Sequence, residues 1–364
     1  MKIIQFIYSL SSGGGEKFVV DLSNQLARLG HDVIICILRN EYEEKNVFNR
    51  KFVNDGVKFH SLDIEPGFSY GKMKIVENYI IQNSPDVVHC HLNVIPYIFR
   101  LALINRKIKF FHTLHSLAEK TCGNGVQKYI NYLYYKKEWI YPICISKLCQ
   151  RSYIEFYHLK NAPYINNGRS LPQKSTEFNV VVDEINTYKY TQSTIVFTHV
   201  ARFHEAKNQK LLIESFNKLD TEGIDFVLLV IGIGFDSDEG LKLQDSACKR
   251  IKFLGIKSNV ADYLMNSDAF CLSSSYEGMP LSLLEAISCG VTPICTPVGG
   301  ITDIITDGVN GYLSEGLNVE TYVRALKRYL ASPIPADILV SYFKEHLSIE
   351  KCANLYEDLY KRKE

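Results

Sequence analysis

Short apolar runs rich in β-branched residues alternate with amphipathic helical patterns along the whole chain. In the first half, the runs at 2–8, 32–38, 57–62, 86–90, 109–114 and 141–145 predict strands. Helical patterns lie between them. Over 15–29, Phe18, Val19, Leu22, Leu26 and Leu29 share one helix face, and Gly30 ends the helix. A polar stretch without clear period runs from 169 to 192, where Pro172, Ser175 and Thr176 predict a linker. The alternation then restarts, with strands at 194–200, 225–231, 250–254, 269–272 and 292–295 and helices at about 208–219, 258–265, 281–289 and 319–330. Such alternation predicts an α/β protein whose parallel sheets are covered by helices on both faces. Two similar domains, 1–168 and 193–340, then face one another across a cleft, with ligands beyond the carboxyl ends of the strands.

The chain's 364 residues suit two domains at ~100–200 residues each. With 46% hydrophobic and 22% charged residues, disordered, collagen-like and low-complexity classes are set aside. No apolar run reaches the ~18 residues of a membrane-spanning helix. The apolar start meets glycines rather than a cleavage site, so no signal peptide is expected. The ten cysteines, at 36, 90, 122, 144, 149, 248, 271, 289, 295 and 352, form no Cys-x-x-Cys, and several sit in apolar runs, so reduced core thiols are expected. His89-Cys90-His91 resembles a metal cluster, but strand alternation turns the middle residue away. Charge is uneven. Residues 1–168 hold 21 Lys/Arg against 14 Asp/Glu, and residues 169–364 hold 20 against 26. Within 100–160 the balance is 11 basic to 3 acidic, a local basic surface too modest to require nucleic acid as partner.

The densest chemical signal runs from Ser273 to Ala286. A strand end passes through a glycine-containing loop into a helix, whose free amides and positive dipole end suit a phosphate. Glu277 precedes this helix and Glu285 lies two turns into it, roughly 12 Å further along at 1.5 Å per residue. Each carboxylate can accept from vicinal sugar hydroxyls, the alternative being a solvent-facing pair. A second signal is Arg202 and Lys207, two cations past a strand end that can clamp a diphosphate or stand as surface charges. A third is Ser11-Ser12-Gly13-Gly14-Gly15-Glu16 after the first strand, where glycine permits close approach to a ligand. It completes neither the dinucleotide fingerprint nor the P-loop.

Together these residues resemble glycosyltransferase family 4, the retaining enzymes of GT-B fold. Glu277 and Glu285 look like the family's two-glutamate motif, Arg202 and Lys207 like its diphosphate pair, and Gly13 to Glu16 like its glycine loop. Thr113-Leu114-His115, Ile145-Ser146, Asn167-Gly168, Phe253-Leu254-Gly255 and Val298-Gly299-Gly300 fall in the family's order. The resemblance implies two Rossmann-like domains, the first for the acceptor and the second for a nucleotide-sugar, UDP-linked. It also implies a helical segment at 341–364 that returns to the first domain. Glu285 would hold the ribose and Glu277 the transferred sugar. Backbone at Gly278, Met279, Pro280 and Leu281 would bind the β-phosphate or sugar, with Gly14, Gly15 and Gly255 also lining the donor. His115 would lie beside the reacting sugar. His112, read as sharing its strand face, is the lesser candidate.

The implied chemistry needs no metal and no cofactor, because fixed cations and helix-end amides can stabilise the departing diphosphate. The acceptor hydroxyl attacks from the face that the leaving group vacates, and a donor phosphate oxygen takes its proton. Glu277 acting as nucleophile is the rival. Asp236-Ser237-Asp238 has a metal-binding spacing but reads as a solvated loop. The aromatic and basic stretch 129–141 fits either a membrane interface or an amphipathic core helix with a basic edge. The expected enzyme acts on a growing bacterial surface glycan, free or lipid-linked, in the cytoplasm or on the inner membrane face. An epimerase or phosphorylase of the same fold, or a non-catalytic partner subunit, remains as alternative.

Overall fold

The computed structural model describes residues 1–121 and 125–362. It divides into one unit of Met1–Ser170 with Ser348–Glu364 and a second of Leu171–Leu347. The first unit holds β1 (Lys2–Ile7), β2 (Asp32–Ile37), β3 (Val57–Ser61), β4 (Val87–His91), β5 (Lys109–Leu114) and β6 (Tyr141–Cys144). All pair in parallel, in the order β3-β2-β1-β4-β5-β6. The helix Gly14–Arg28 buries Phe18, Val19, Leu22 and Leu26 against this sheet. Gly30 follows it at φ 86°, the left-handed position that glycine occupies without strain.

The second unit repeats the plan with β7 (Ile195–Val200), β8 (Phe226–Ile231), β9 (Ile251–Gly255), β10 (Ala269–Leu272), β11 (Thr292–Cys295) and β12 (Tyr312–Leu313). Its order, β12-β11-β10-β7-β8-β9, is the same doubly wound topology. β8 is buried along its whole length, as a central parallel strand covered on both faces must be.

Two sequence expectations need correction. The stretch 169–192 is not a plain linker. It contains the helix Phe178–Tyr188, whose Val181 and Ile185, four positions apart, pack with Val196, Val227 and Leu229 of the second sheet. The second unit therefore begins at Leu171. β12 was not anticipated at all, because two residues carry no readable period. At the other end, the returning segment is shorter than 341–364: the helix Ala336–His346 belongs to the second unit, and the helix Ile349–Lys361 buries Cys352, Ala353, Tyr356 and Tyr360 in the core of the first. Gly168 lets the chain pass close to the start of that helix, since a Cβ there would stand 2.6 Å from the Ser348 carbonyl oxygen.

The stretch 129–141 is split between roles. Tyr135 is buried and accepts or donates at His112, Tyr134 donates to the Phe99 carbonyl, and Tyr129 stays exposed. The nine described cysteines are free thiols, and Cys122 lies outside the described residues. No helix among the described residues is long and apolar enough to cross a membrane.

Candidate active site

In each sheet the chain reverses direction of winding beside the first strand, and side loops diverge there. In the second unit that point lies between β7 and β10, which pair through Ala269 with Phe197 and Phe270 with Thr198. The loops leaving their carboxyl ends are tied together. The Ser275 N–H donates to the Ala206 carbonyl at 2.9 Å, and the Ser273 hydroxyl donates to the carbonyls of Lys207 and Asn208. Lys207 Nζ thereby donates to Glu277 Oε1 at 2.7 Å, and the Ser274 hydroxyl donates to the same oxygen at 2.6 Å. Glu277 is only 6% exposed, so its charge requires such partners. Its Oε2 accepts no hydrogen bond among the described residues, and Lys207 retains two further ammonium hydrogens.

Arg202 opens the same loop, exposed and without an ion pair among the described residues. Its carbonyl accepts from Gln209 Nε2 at 2.9 Å. His199 donates Nδ1–H to the Cys271 carbonyl, and burial lowers its pKa to about 4, so it stands neutral behind the two loops.

The backbone ahead of the helix Leu281–Ser288 is held from below by glycine. A Cβ on Gly299 would lie 1.8 Å from the Glu277 carbonyl oxygen, and one on Gly300 1.9 Å from that of Gly278. The helix starts after Pro280 with no side-chain cap. The N–H groups of Gly278, Met279, Leu281 and Ser282 donate to no acceptor among the described residues, leaving an array able to receive an anion. Glu285 is half-buried and lies one turn into this helix, not two. Only four of the eight steps from Glu277 are helical, so the axial estimate of their separation does not hold. Gly255 ends β9 at φ 66°, its carbonyl accepting from the Gly232 N–H at 2.8 Å. Ser237 caps the helix Asp238–Asp245 through Gly240 N–H, so Asp236-Ser237-Asp238 is a helix start with exposed acids.

In the first unit the carboxyl ends of β1, β4 and β5 gather imidazoles. His115, just past β5, lies with Nε2 3.0 Å from His91 Nδ1, and His91 Nε2 lies 2.7 Å from Gln5 Oε1. With Gln5 Oε1 as acceptor, His91 Nε2 carries its proton. Its Nδ1 then accepts from His115 Nε2–H, and His115 presents an Nδ1 lone pair. Gly15 faces that ring, since a Cβ there would lie 3.6 Å from His115 Nδ1. Gly14 opens the adjoining helix, and Glu16 folds back to accept from the Ser11 hydroxyl at 2.8 Å.

His112 is not available for a ligand. It stands three positions before His115, off the alternation of one face, with Nδ1 on Tyr135 and Nε2 on the Leu92 carbonyl. His89 bonds Tyr360 and Thr113, so His89-Cys90-His91 is a core network rather than a metal set. Sequence reasoning missed Gln5, His91 and Ser274. The role of His91 becomes readable only once β4 and β5 are placed side by side, in the register that pairs His91 with Thr113.

The sequence profile described as Glycosyltransferase Family 4 matches residues 12–168, and that described as Glycosyl transferases group 1 matches residues 185–346. The chain belongs to the family 4 glycosyltransferases, and its fold is GT-B. It is 26% identical over 319 residues to N-acetyl-alpha-D-glucosaminyl L-malate synthase of Bacillus anthracis, covering 84% of this chain and 81% of the relative. It is 25% identical over 301 residues to an Escherichia coli UDP-Gal:alpha-D-GlcNAc-diphosphoundecaprenol alpha-1,3-galactosyltransferase, covering 75% and 76%. Among solved structures, Anabaena HepE in complex with UDP superposes with a TM-score of 0.78 at 14% identity, covering 99% of each chain.

Burial sets the protonation of the imidazole cluster. Desolvation lowers His115 to about 3 and His112 to about 4, and holds His89 and His91 well below the ordinary value, with neighbouring imidazoles adding to the effect at His89, His91 and His115. Unfolded imidazoles bind protons near pH 6.5 and these native ones do not. Unfolding therefore takes up protons as pH falls below 6.5, and stability falls with it, by up to about 1.4 kcal/mol per pH unit for each group. Denaturant midpoints are expected to drop between pH 7 and pH 5. Histidine NMR should show His115 neutral throughout; a titration of His115 near pH 6.5 would contradict the buried cluster.

Proposed function

We propose that this glycosyltransferase moves a sugar, with retention, from a UDP-linked donor to a glycan or lipid-linked acceptor of a bacterial surface polysaccharide, without a metal. The observation that carries this reading is Glu277 held by Lys207 and Ser274 with one carboxylate oxygen open, beside uncapped helix amides and an unpaired Arg202. The family 4 membership, the UDP-bound HepE neighbour and the galactosyltransferase relative support the donor and acceptor classes.

In this mechanism the diphosphate lies on the N–H groups of Gly278, Met279, Leu281 and Ser282, between Arg202 and Lys207. Charge grows on the leaving phosphate as the glycosidic bond breaks, and the two cations stabilise that charge more than the ground state. Glu277 Oε2 accepts from the transferred sugar, and Glu285 accepts from the ribose hydroxyls. In this reading Glu277 Oε2 binds a sugar hydroxyl and the acceptor attacks from the front face; Oε2 attacking the anomeric carbon to form a covalent intermediate is the rival. The acceptor hydroxyl then passes its proton to the leaving phosphate. His115, neutral with Nδ1 as acceptor, bonds a sugar hydroxyl.

Because the countercharge comes from side chains, transfer should persist in excess chelator. Full loss in EDTA, restored by manganese or magnesium, would return Asp236 and Asp238 to consideration.

The two glutamates should separate by their ends of the donor. Glu285→Gln should weaken UDP and UDP-sugar alike, by ~1.5–3 kcal/mol. Glu277→Gln releases Lys207 from its carboxylate, so UDP should bind as before or more tightly while turnover falls. Calorimetry with UDP beside steady-state kinetics measures both, and product analysis without acceptor separates transfer from epimerase or phosphorylase activity. Equal loss of UDP binding in both variants would remove the assignment of opposite ends.

The basic stretch 100–160 also exposes Ile104, Val126 and Tyr129, a combination suited to an anionic bilayer surface. The protein should sediment with phosphatidylglycerol vesicles at low salt and release at high salt. Sedimentation that does not distinguish phosphatidylglycerol from phosphatidylcholine vesicles would reject this contact.

A further inference from the structure

A cavity of about 810 Å³ opens in the first unit at the amino-terminal end of β5 and β6. Its size lies within the ~300–1,000 Å³ of small-molecule sites. It is separate from the candidate active site. Lys109 lines it at the start of β5, and His115 lies beyond the other end, roughly 20 Å away along the strand.

Its lining has two parts. Phe111, Ile143 and Leu359 give an apolar floor, where β5, β6 and the C-terminal helix meet. Arg106, Lys109, Lys137 and Arg362 stand around it, against Glu138 as the one acid among the described lining residues. None of these four cations makes an ion pair among the described residues. Lys109 is already fixed, donating to the carbonyls of Tyr360 at 2.9 Å and Arg362 at 2.5 Å. The Arg106 guanidinium stacks 4.9 Å from the Trp139 ring centroid. Lys137 and Arg362 are exposed at the rim.

Four like charges around one apolar hollow repel one another, and among the described lining residues only Glu138 offsets that repulsion. An anionic head set among them relieves it and gains charge-assisted hydrogen bonds, while a short apolar body covers the floor. We propose that this cavity binds an amphiphilic anion, with its phosphate or carboxylate head on Lys137, Arg362 and Arg106 and its apolar part over Phe111, Ile143 and Leu359. This proposal stands apart from the donor and acceptor reading, because none of its residues belongs to that site.

Trp139 is the chain's single tryptophan and lines the cavity, so its emission reports occupancy. Monomeric dihexanoyl phosphatidic acid is titrated into the full-length protein, with Trp139 emission and calorimetry read together. Saturable binding is expected, with inorganic phosphate at least roughly tenfold weaker for lack of the apolar contact, and dihexanoyl phosphatidylcholine weaker still. Lys137→Ala combined with Arg362→Ala, both exposed and without an ion pair among the described residues, should weaken the phosphatidic acid at least roughly tenfold. The thermal midpoint should stay unchanged. If the double variant loses sedimentation with phosphatidylglycerol vesicles while Lys107→Ala with Lys160→Ala, which removes the same charge from the basic stretch outside the cavity, keeps it, the ligand is a bilayer lipid; otherwise the ligand is a free amphiphile. Absence of saturable binding by both readouts, equal affinity for phosphatidylcholine or inorganic phosphate, or unchanged affinity in the double variant would overturn the proposal.

Discussion

A carboxylate that is almost wholly withdrawn from water must have a cation beside it, and for Glu277 that cation comes from seventy positions earlier in the chain. The pairing exists only because β7 and β10 are neighbours in a parallel sheet, so that both carboxyl-end loops issue side by side. Strand order thus precedes chemistry. The loop starting at Ala201 brings Arg202 and Lys207, the loop starting at Ser273 brings Ser274, Glu277 and the uncapped helix, and the hydrogen bond from Ser275 to Ala206 keeps them in register. A buried ion pair is a weak source of stability, since desolvation offsets most of its attraction. Its value here lies in fixing where one open carboxylate oxygen stands.

The same site depends on backbones approaching more closely than a side chain allows. Gly299, at φ 57°, lies against the Glu277 carbonyl, and Gly232 lies against the Ala201 carbonyl, where a Cβ would come within 1.9 Å. Each glycine therefore sits behind one of the two switch-point loops. The loops cannot relax backwards without separating from these supports, so position in the site is set by main-chain packing, and long side chains need only fine adjustment. In the first unit Gly168 has a comparable place against Ser348, where the last helix joins the core.

Much of this was legible in the sequence. Strands such as β2 and β8 are continuous apolar runs, and such runs bounded by helical patterns can hardly be anything but buried parallel strands. The helix Phe178–Tyr188 was hidden because only Val181 and Ile185 are buried, too few to show a period among Asn, Asp, Glu and Thr. For the site, the residue types and loop positions of Arg202, Lys207, Glu277 and Glu285 were readable, but not the Lys207–Glu277 bond, which needs the strand order. The spacing of the two glutamates misled for a related reason, since it treated a loop as helix. His91 was invisible as a partner of His115 because β4 and β5 must first be placed side by side. Sequence spacing carries local geometry well, and contacts across a sheet only after topology is known.

The two units share a strand order yet treat charge in opposite ways at the same topological point. The second gathers ions, two cations and a carboxylate with partly open valences. The first gathers imidazoles that burial keeps neutral, linked through His115, His91 and Gln5. Neutrality has a consequence for the transfer proposed above. A protonated His115 would carry a charge and donors on both ring nitrogens, and would suit an anion. A neutral ring with its Nε2 proton committed to His91 offers only an acceptor to a hydroxyl. A sugar hydroxyl donates readily to such an acceptor, whereas a fully ionised phosphate has no proton to give. The buried relay behind His115 thereby suits the end of that sheet to a neutral hydroxyl, whereas the cations at the end of the other sheet suit an anion, the same strand order used twice with different dielectric surroundings.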